Sequence, residues 1–219
     1  MIFSSFRFII ILPVVIISFM QVGGCDIKFG TSEDNGQGIS NMETVSGRVI
    51  NVIPDMDLEG IIVQITNSDD VTSEDITDSS GNFTVQGDFD NSPAVVKFLD
   101  STDTSIGDLN VNIFPGVDMD LGNLQIDDGT VTLNQDAMVI FFGDITENNC
   151  TGNNGSIDLK IKSISVTVQI NSSTDIERKS NNENATCEDF FIGQEVRVDG
   201  DLTSPTGSIV IASDIQIQN

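Results

Sequence analysis

Short runs of alternating apolar and polar residues fill the chain from Thr44 onward, and turn residues separate the runs. Alternation with a period of two predicts half-buried strands, and the Asp, Gly, Asn, Ser and Pro residues between runs predict tight connections. We find no apolar stripe of useful length with the helical period. The pattern predicts an all-β fold, a sandwich or barrel of antiparallel strands. The strands predicted in the first half are residues 46–53, 61–66, 74–77, 82–86, 94–99, 109–114 and 118–126.

The second half begins near Asp136 and continues the alternation. Residues 138–142 predict one strand, and the longer alternation over 156–170 predicts two strands with a bend near Ser163. Further strands are predicted at residues 174–176, at 190–198 and in a last pair that ends at Ile217. Both halves are therefore expected to be β domains.

The sharpest local signal is the segment T-D-S-S-G-N-F-T-V at residues 77–85. Asp78 can accept a hydrogen bond from the backbone two residues further on, and Gly81 can adopt a positive φ, so the chain should reverse here. Phe83 and Val85 then alternate with polar residues, which predicts that both side chains face the core.

Together with G-R-V at 47–49 and G-I-I-V at 60–63, this segment resembles the carboxypeptidase regulatory-like domain. D-L-G-N-L at 120–124 is similar to the last strand of that family. The resemblance implies a seven-stranded, transthyretin-like β-sandwich over residues 44–127, a module that accompanies enzymes and transporters without doing their chemistry. The acidic connection at 54–59 is longer than the usual turn of the family. An unrelated sandwich with the same turn chemistry is the alternative.

A second resemblance covers residues 137–219, after a predicted linker at 128–136. Four segments carry it, F-F-G-D-I, S-S-T-D-I, I-G-Q-E-V-R-V-D-G and A-S-D-I, which begin at Phe141, Ser172, Ile192 and Ala212. Their order resembles an uncharacterised family of OB-like barrels in exported bacterial proteins. The resemblance implies a small OB-like β-barrel as the second domain.

The N-terminus has the pattern of an export signal. Arg7 precedes an apolar run over residues 8–20, which is short for a helix that spans a bilayer. V-G-G-C at 22–25 resembles the bacterial lipobox, in which the cysteine receives a lipid and the chain is cut before it. The resemblance implies a signal peptide at residues 1–24 and a membrane anchor on Cys25. An ordinary secretory signal with a chance cysteine, or an uncleaved anchor, is the alternative.

A polar segment rich in glycine follows Cys25, and it predicts a flexible tether over residues 25–43. The expected location is the cell envelope, on the inner or the outer membrane. Asp26 would retain the protein at the inner membrane by the enterobacterial sorting rule, which does not hold in all bacteria.

The chain has three cysteines, and a single disulfide uses only two of them. The third cysteine of an exported chain therefore needs another explanation. If Cys25 carries lipid, Cys150 and Cys187 remain as one pair, and an oxidising compartment favours a disulfide between them. Two free buried thiols are the alternative.

Charge and composition exclude several kinds of chemistry. The formal net charge is −25, and the chain contains no His, Trp or Tyr. So acidic a surface repels phosphate backbones, which argues against a nucleic-acid partner. Without His there is no Ser-His-Asp or Cys-His catalytic arrangement, and neither glycine-rich phosphate motif occurs. We predict no catalytic residue, no metal and no cofactor.

Carboxylates are the abundant functional groups. Three acidic pairs lie in or near predicted turns, where Ca²⁺ could find oxygen ligands: Asp69-Asp70, Asp118 with Asp120, and Asp127-Asp128. None has the spacing of an EF-hand loop, so the default interpretation is solvated surface.

The sequence therefore predicts a non-catalytic envelope lipoprotein, anchored through Cys25, that acts as a structural, scaffold or binding module. Its partners would be the membrane and an unidentified envelope protein or glycan. A calcium- or carbohydrate-binding surface protein and a hydrolase that works through carboxylates are the alternatives left open.

Overall fold

Strands make up almost all regular structure in the described part of the chain. The computed structural model describes residues 42–53, 56–89, 93–180 and 183–218. The strands are β1 Glu43–Ile53, β2 Ile62–Asn67, β3 Thr72–Ile76, β4 Asn82–Gly87, β5 Ala94–Leu99, β6 Ser105–Val111, β7 Asp118–Asp127, β8 Gly129–Leu133, β9 Ala137–Asn148, β10 Gly155–Ile161, β11 Ile164–Ile170, β12 Asp175–Arg178, β13 Glu183–Asn184, β14 Glu195–Leu202 and β15 Ile209–Ile217. One 3₁₀ helix, Cys187–Asp189, accompanies them. The all-β prediction is confirmed.

The first eight strands form two sheets that pack face to face and are joined at one edge, where residues 107–108 of β6 pair in parallel with residues 129–130 of β8. One sheet has the order β4-β1-β7-β8, and the other has the order β3-β2-β5-β6. Within each sheet neighbours are antiparallel except β1 and β7, which are parallel. Phe83 of β4 meets Phe98 of β5 edge to face, with ring centroids 5.9 Å apart, which joins the sheets through their core.

The turn before β4 forms as its sequence predicts. The Asp78 carboxylate accepts hydrogen bonds from the backbone N–H groups of Ser80, at 2.8 Å, and Asn82, at 2.9 Å. Gly81 has a φ of +81°, and a Cβ at this position would lie against the carbonyl oxygen of Val49. Phe83 and Val85 both face the core. Glycine is needed here for its φ and for the close approach of two backbones.

A hairpin occupies most of the segment predicted as a linker. Asp128 and Gly129 have φ values of +46° and +81°, and they connect β7 to β8. Two consecutive residues of positive φ between antiparallel strands are typical of a type I′ turn. Residues 129–133 therefore belong to the first sheet as β8.

The last strands close into a five-stranded barrel. β9 pairs with β10, β10 with β11, β11 with β15, β15 with β14, and β14 again with β9. Within this ring β11 and β15 are parallel, and the other pairs are antiparallel. β12 lies beside β15 outside the ring, and β13 pairs with β12.

Strands β7 and β9 join the sandwich to the barrel. Residues 118–120 of β7 pair with residues 138–140 of β9 in antiparallel register. Near this junction the Asn112 N–H donates to the carbonyl of Pro205 at 2.7 Å, and Phe114 contacts Phe141 with ring centroids 6.1 Å apart. The buried apolar residues of both halves form one cluster, and all described residues belong to one compact unit.

Several predicted strands differ in extent from the observed ones; β9, predicted at residues 138–142, continues to Asn148. β6 ends at Val111, because the chain then turns so that Val117 N–H donates to the carbonyl of Phe114. β14 begins at Glu195 rather than at residue 190, because residues 191–194 form a turn in which Gly193 has a φ of +84°.

The predicted leader and most of the tether lie outside the described residues. These include the V-G-G-C segment and Cys25. Glu43, placed at the end of the tether by its sequence, is the first residue of β1 and is fully buried. In the part of the chain that the structure describes, no helix is long and apolar enough to cross a bilayer.

Candidate functional site

Strand β9 carries an apolar ridge on its outer side. Its alternation buries Ala137, Val139 and Phe141 in the core and turns Met138, Ile140 and Phe142 to the opposite face, where Met138 and Ile140 are half-buried. Phe142 is 48% exposed, which is high for an aromatic side chain in the middle of a strand. We use the term apolar ridge for these three outward residues.

Carboxylates flank the apolar ridge on both sides. Ile140 lies in register between Asp118 of β7 and Asp199 of β14. Met138 lies in the same way between Asp120 and Asp201. Directly paired residues in a ladder project to the same face of the sheet, so two acidic columns border the ridge. The surface is called the seam face below; its residues are Asp118, Asp120, Met138, Ile140, Phe142, Arg197, Asp199 and Asp201.

One cation lies within the seam face. Arg197, the register partner of Phe142, forms an ion pair with the Oδ2 atom of Asp199 at 3.0 Å. The Oδ1 atom of Asp199 is buried and has no hydrogen-bond partner among the described residues. Burial raises the pKa of Asp199, and the neighbouring Arg197 guanidinium opposes this effect. The face thus retains an unsatisfied carboxylate oxygen beside its apolar ridge.

The row of carboxylates continues onto β15 and β12. Asp214 is the register partner of Asp199 on one side and of Asp175 on the other. Burial is the main cause that raises the pKa of Asp214, and the negative charges of Asp199 and Glu177 add to it, whereas Arg197 opposes it. Closely spaced carboxylates in a half-buried row favour protons and cations at this surface.

Replacing Asp214 by Asn should stabilise the protein near neutral pH. Because the folded-state pKa of Asp214 is raised, its stabilising contribution is present at low pH and is lost as the pH rises through that pKa. The ionised carboxylate therefore costs stability at neutral pH. We expect D214N to gain roughly 0.5 kcal/mol there, since solvent screens a partly exposed group. The gain should vanish below the ordinary pKa of 3.8.

Urea unfolding followed by far-ultraviolet CD across this pH range measures the effect. The exposed Asp57 provides the matched control, because Asp57→Asn makes the same charge change in a loop. A D214N gain that persists unchanged at low pH would contradict the assigned cause.

The predicted disulfide is present. Cys150, in the turn between β9 and β10, is bonded to Cys187 of the 3₁₀ helix, with a Cα–Cα distance of 5.6 Å. Cys187 is fully buried. Asn148 at the end of β9 also holds the chain next to the 3₁₀ helix, because its side-chain amide donates to the carbonyl of Phe190 at 2.9 Å. The bond ties the long β11–β14 connection to the end of the barrel.

Hydrogen bonds also order the 3₁₀ helix itself. The Asp189 carboxylate accepts from the Thr186 backbone N–H at 2.8 Å and pairs with Arg178 at 3.0 Å. The bond from the Thr186 N–H is the main cause that lowers the pKa of Asp189. An ionised Asp189 therefore caps the helix that carries Cys187.

The acidic pairs singled out in the sequence lie apart. Asp69 and Asp70 sit in the β2–β3 turn, where the Asn67 side chain accepts from the Asp69 N–H at 3.0 Å. Asp127 and Asp128 sit at the β7–β8 hairpin, and Asp118 with Asp120 belongs to the seam face. Across residues 42–218, excluding the gaps, no group of three or more His, Cys, Asp or Glu side chains is placed to hold a metal ion.

An open cleft of about 370 Å³ lies beside the β2–β3 turn. Asp70 and Lys97 contribute its charged groups, and Pro93 and Val95 contribute apolar surface. The cleft is an open surface depression beside β2 and β5, the central strands of the second sheet, and it is remote in sequence from the seam face.

Sequence reasoning missed the seam face. The M-V-I-F-F alternation at 138–142 predicts a strand with one apolar outer row, which was a usable signal. What the alternation does not reveal is that β7 and β14 flank this strand in a register that places four Asp side chains beside it. Those pairings join residues as far apart in sequence as Met138 and Asp201, and local pattern does not encode them.

Comparison with known proteins gives little further information. The chain matches no protein-family model and no curated protein. Among solved structures, it is similar to a 9R-lipoxygenase from Cyanothece PCC8801 with 13% sequence identity and a TM-score of 0.28. The match covers 42% of this chain and 17% of that protein. Similarity at this level carries no argument about fold or function.

Proposed function

We propose that this chain is a lipid-anchored envelope protein whose β part is a non-catalytic binding module. The seam face is the observation that carries the proposal. It presents an apolar ridge between two acidic columns on paired strands, where side chains are held by the ladder rather than by a mobile loop. A rigid, solvent-facing surface of this kind is suited to docking a partner.

The V-G-G-C segment and the disulfide support export and anchoring. Cys25 is the residue to which lipid would attach, and the polar residues after it would separate the β part from the membrane. The Cys150–Cys187 disulfide is consistent with an oxidising compartment outside the cytoplasm. The cell envelope is therefore the proposed location.

Strand order supports the two proposed fold families. A Greek-key pair of sheets, β4-β1-β7-β8 against β3-β2-β5-β6, is compatible with a transthyretin-like sandwich, with β8 added to the seven strands expected. A five-stranded ring in which β11 and β15 are the parallel pair is compatible with an OB-like barrel. We propose this assignment for the two halves.

Intact-mass analysis of the protein extracted from membranes tests the anchor. We expect a chain that begins at Cys25 and carries the added mass of a diacylglyceryl group. The Cys25→Ala variant should lack that mass, because it has no thiol to modify. An extracted wild-type protein without acyl chains would show that the anchor is wrong.

A further inference from the structure

We infer that the seam face binds a basic amphipathic helix of a partner protein, whose apolar stripe lies on the apolar ridge while Lys or Arg residues on both borders meet the acidic columns. This inference rests on the proposed function and names the chemistry of the partner.

The dimensions of the seam face match those of a helix. Asp118 and Asp199 lie on the two strands that border β9, and neighbouring strands are about 4.8 Å apart, so the acidic columns are about 10 Å apart. An α-helix with its side chains is about 10–12 Å across. From Met138 to Phe142 the ridge is about 14 Å long, which corresponds to roughly nine helical residues.

The charges complement a helix with basic borders. Asp118 and Asp120 form one column, and Asp199 and Asp201 form the other. Arg197 engages only the Oδ2 atom of Asp199, which leaves the buried Oδ1 atom without a partner. That atom is out of reach of an external partner, so cations on the borders of a bound helix would pair with the accessible carboxylates of the two columns instead. Long Lys and Arg side chains can reach sideways from an apolar stripe to such carboxylates.

Other occupants conflict with the charge. Anionic lipid headgroups and nucleic-acid phosphates would be repelled by the acidic columns and by the net charge of −25. A second copy of this chain, docked through the same face, would place Asp columns against Asp columns. An amphipathic helix of another protein can contact the apolar ridge with its apolar stripe and the acidic columns with its basic residues.

Two synthetic peptides of identical composition test the inference. The first is a Leu/Lys helix whose Leu residues follow the i, i+3, i+4, i+7 spacing, with Lys on both borders of the stripe. The second is a scrambled peptide in which the Leu residues share no face. Calorimetric titration uses the full mature chain in phosphatidylcholine nanodiscs at physiological salt, with empty nanodiscs as the blank. We expect the helical peptide to bind at least about tenfold more tightly than the scrambled one.

Two variants of the seam face locate the binding. Phe142→Ser should weaken binding of the helical peptide by about tenfold, and Asp118→Asn with Asp201→Asn, one carboxylate from each column, should weaken it by a similar factor. Their matched controls lie elsewhere: Ile76→Ser, at another exposed apolar residue, and Asp57→Asn with Glu59→Gln, in an exposed loop. The controls should bind as the wild type does, and far-ultraviolet CD melts verify that every variant is folded.

Equal affinity for both peptides, or equal loss in the control variants, would show non-specific attraction to an acidic protein and would overturn the inference. If the mass spectrum reveals no acyl chain, the same titration is made with the free chain. Failure of the anchor and failure of the seam face are thus observed separately.

Discussion

Loss of the Cys150–Cys187 disulfide is expected to lower the free energy of unfolding by about 4 kcal/mol. The two cysteines are 37 residues apart, and the chain-entropy model assigns roughly this cost to opening a loop of such length in the unfolded state. The barrel should be affected first, because the bond joins the β9–β10 turn to the long β11–β14 connection.

Urea unfolding of the oxidised protein, the reduced protein and the Cys150→Ala/Cys187→Ala variant measures this cost. Far-ultraviolet CD is the suitable probe, since the chain has neither Trp nor Tyr. Hydrogen exchange should show the lost protection in residues 171–180 and 183–194 before it reaches β1 or β4. Equal midpoints for the oxidised and reduced forms would contradict the prediction.

Replacement of Glu43 by Ala should destabilise the protein by about 3 kcal/mol, because it leaves one buried and one part-buried N–H group without an acceptor. The side chain is fully buried. Its Oε2 atom accepts from the Phe89 N–H at 2.8 Å, and its Oε1 atom accepts from the Gly116 N–H at 2.6 Å. Glu43 therefore holds the start of β1 to the chain that follows β4 and to the β6–β7 turn.

The measurement is again urea unfolding, with two comparison variants. Glu43→Gln keeps one acceptor oxygen and should lose less stability than Glu43→Ala. Glu74→Ala removes an exposed carboxylate from β3 and should change the midpoint little. If Glu43→Ala changed the unfolding midpoint as little as Glu74→Ala, the hydrogen bonds of the buried Glu43 carboxylate would not stabilise the fold.

Local sequence pattern was sufficient for most of the strands. Antiparallel strands with one buried face impose a period of two, and residues 82–87 show it directly, with Phe83 and Val85 buried between exposed neighbours. The 78–81 turn was also predictable, because Asp and Gly have specific backbone roles that the structure uses. Cysteine number led correctly to the disulfide.

Features that depend on distant pairing were not predictable from local pattern. Glu43 precedes an alternating run and looks solvent-exposed, but loops from two later parts of the chain enclose it. Asp128-Gly129 is a strong signal for a β-hairpin. It lies inside the linker predicted between the two domains, and for that reason β8 was not predicted. The seam face required the register of β7, β9 and β14, which tertiary packing sets.

The parallel pairing of β1 with β7 has a mechanical consequence. Thr44 lies beside Asp118 at the start of the eight register pairs, so the N-terminal end of β1 and the part of β7 that borders β9 are at the same end of the ladder. If the proposed anchor at Cys25 and a partner on the seam face were pulled apart, the load would enter at this end. The pairs would then open one after another from Thr44 towards Ile53, which takes less force than breaking them together in shear. The start of β1 would therefore be the first part of this ladder to open under tension.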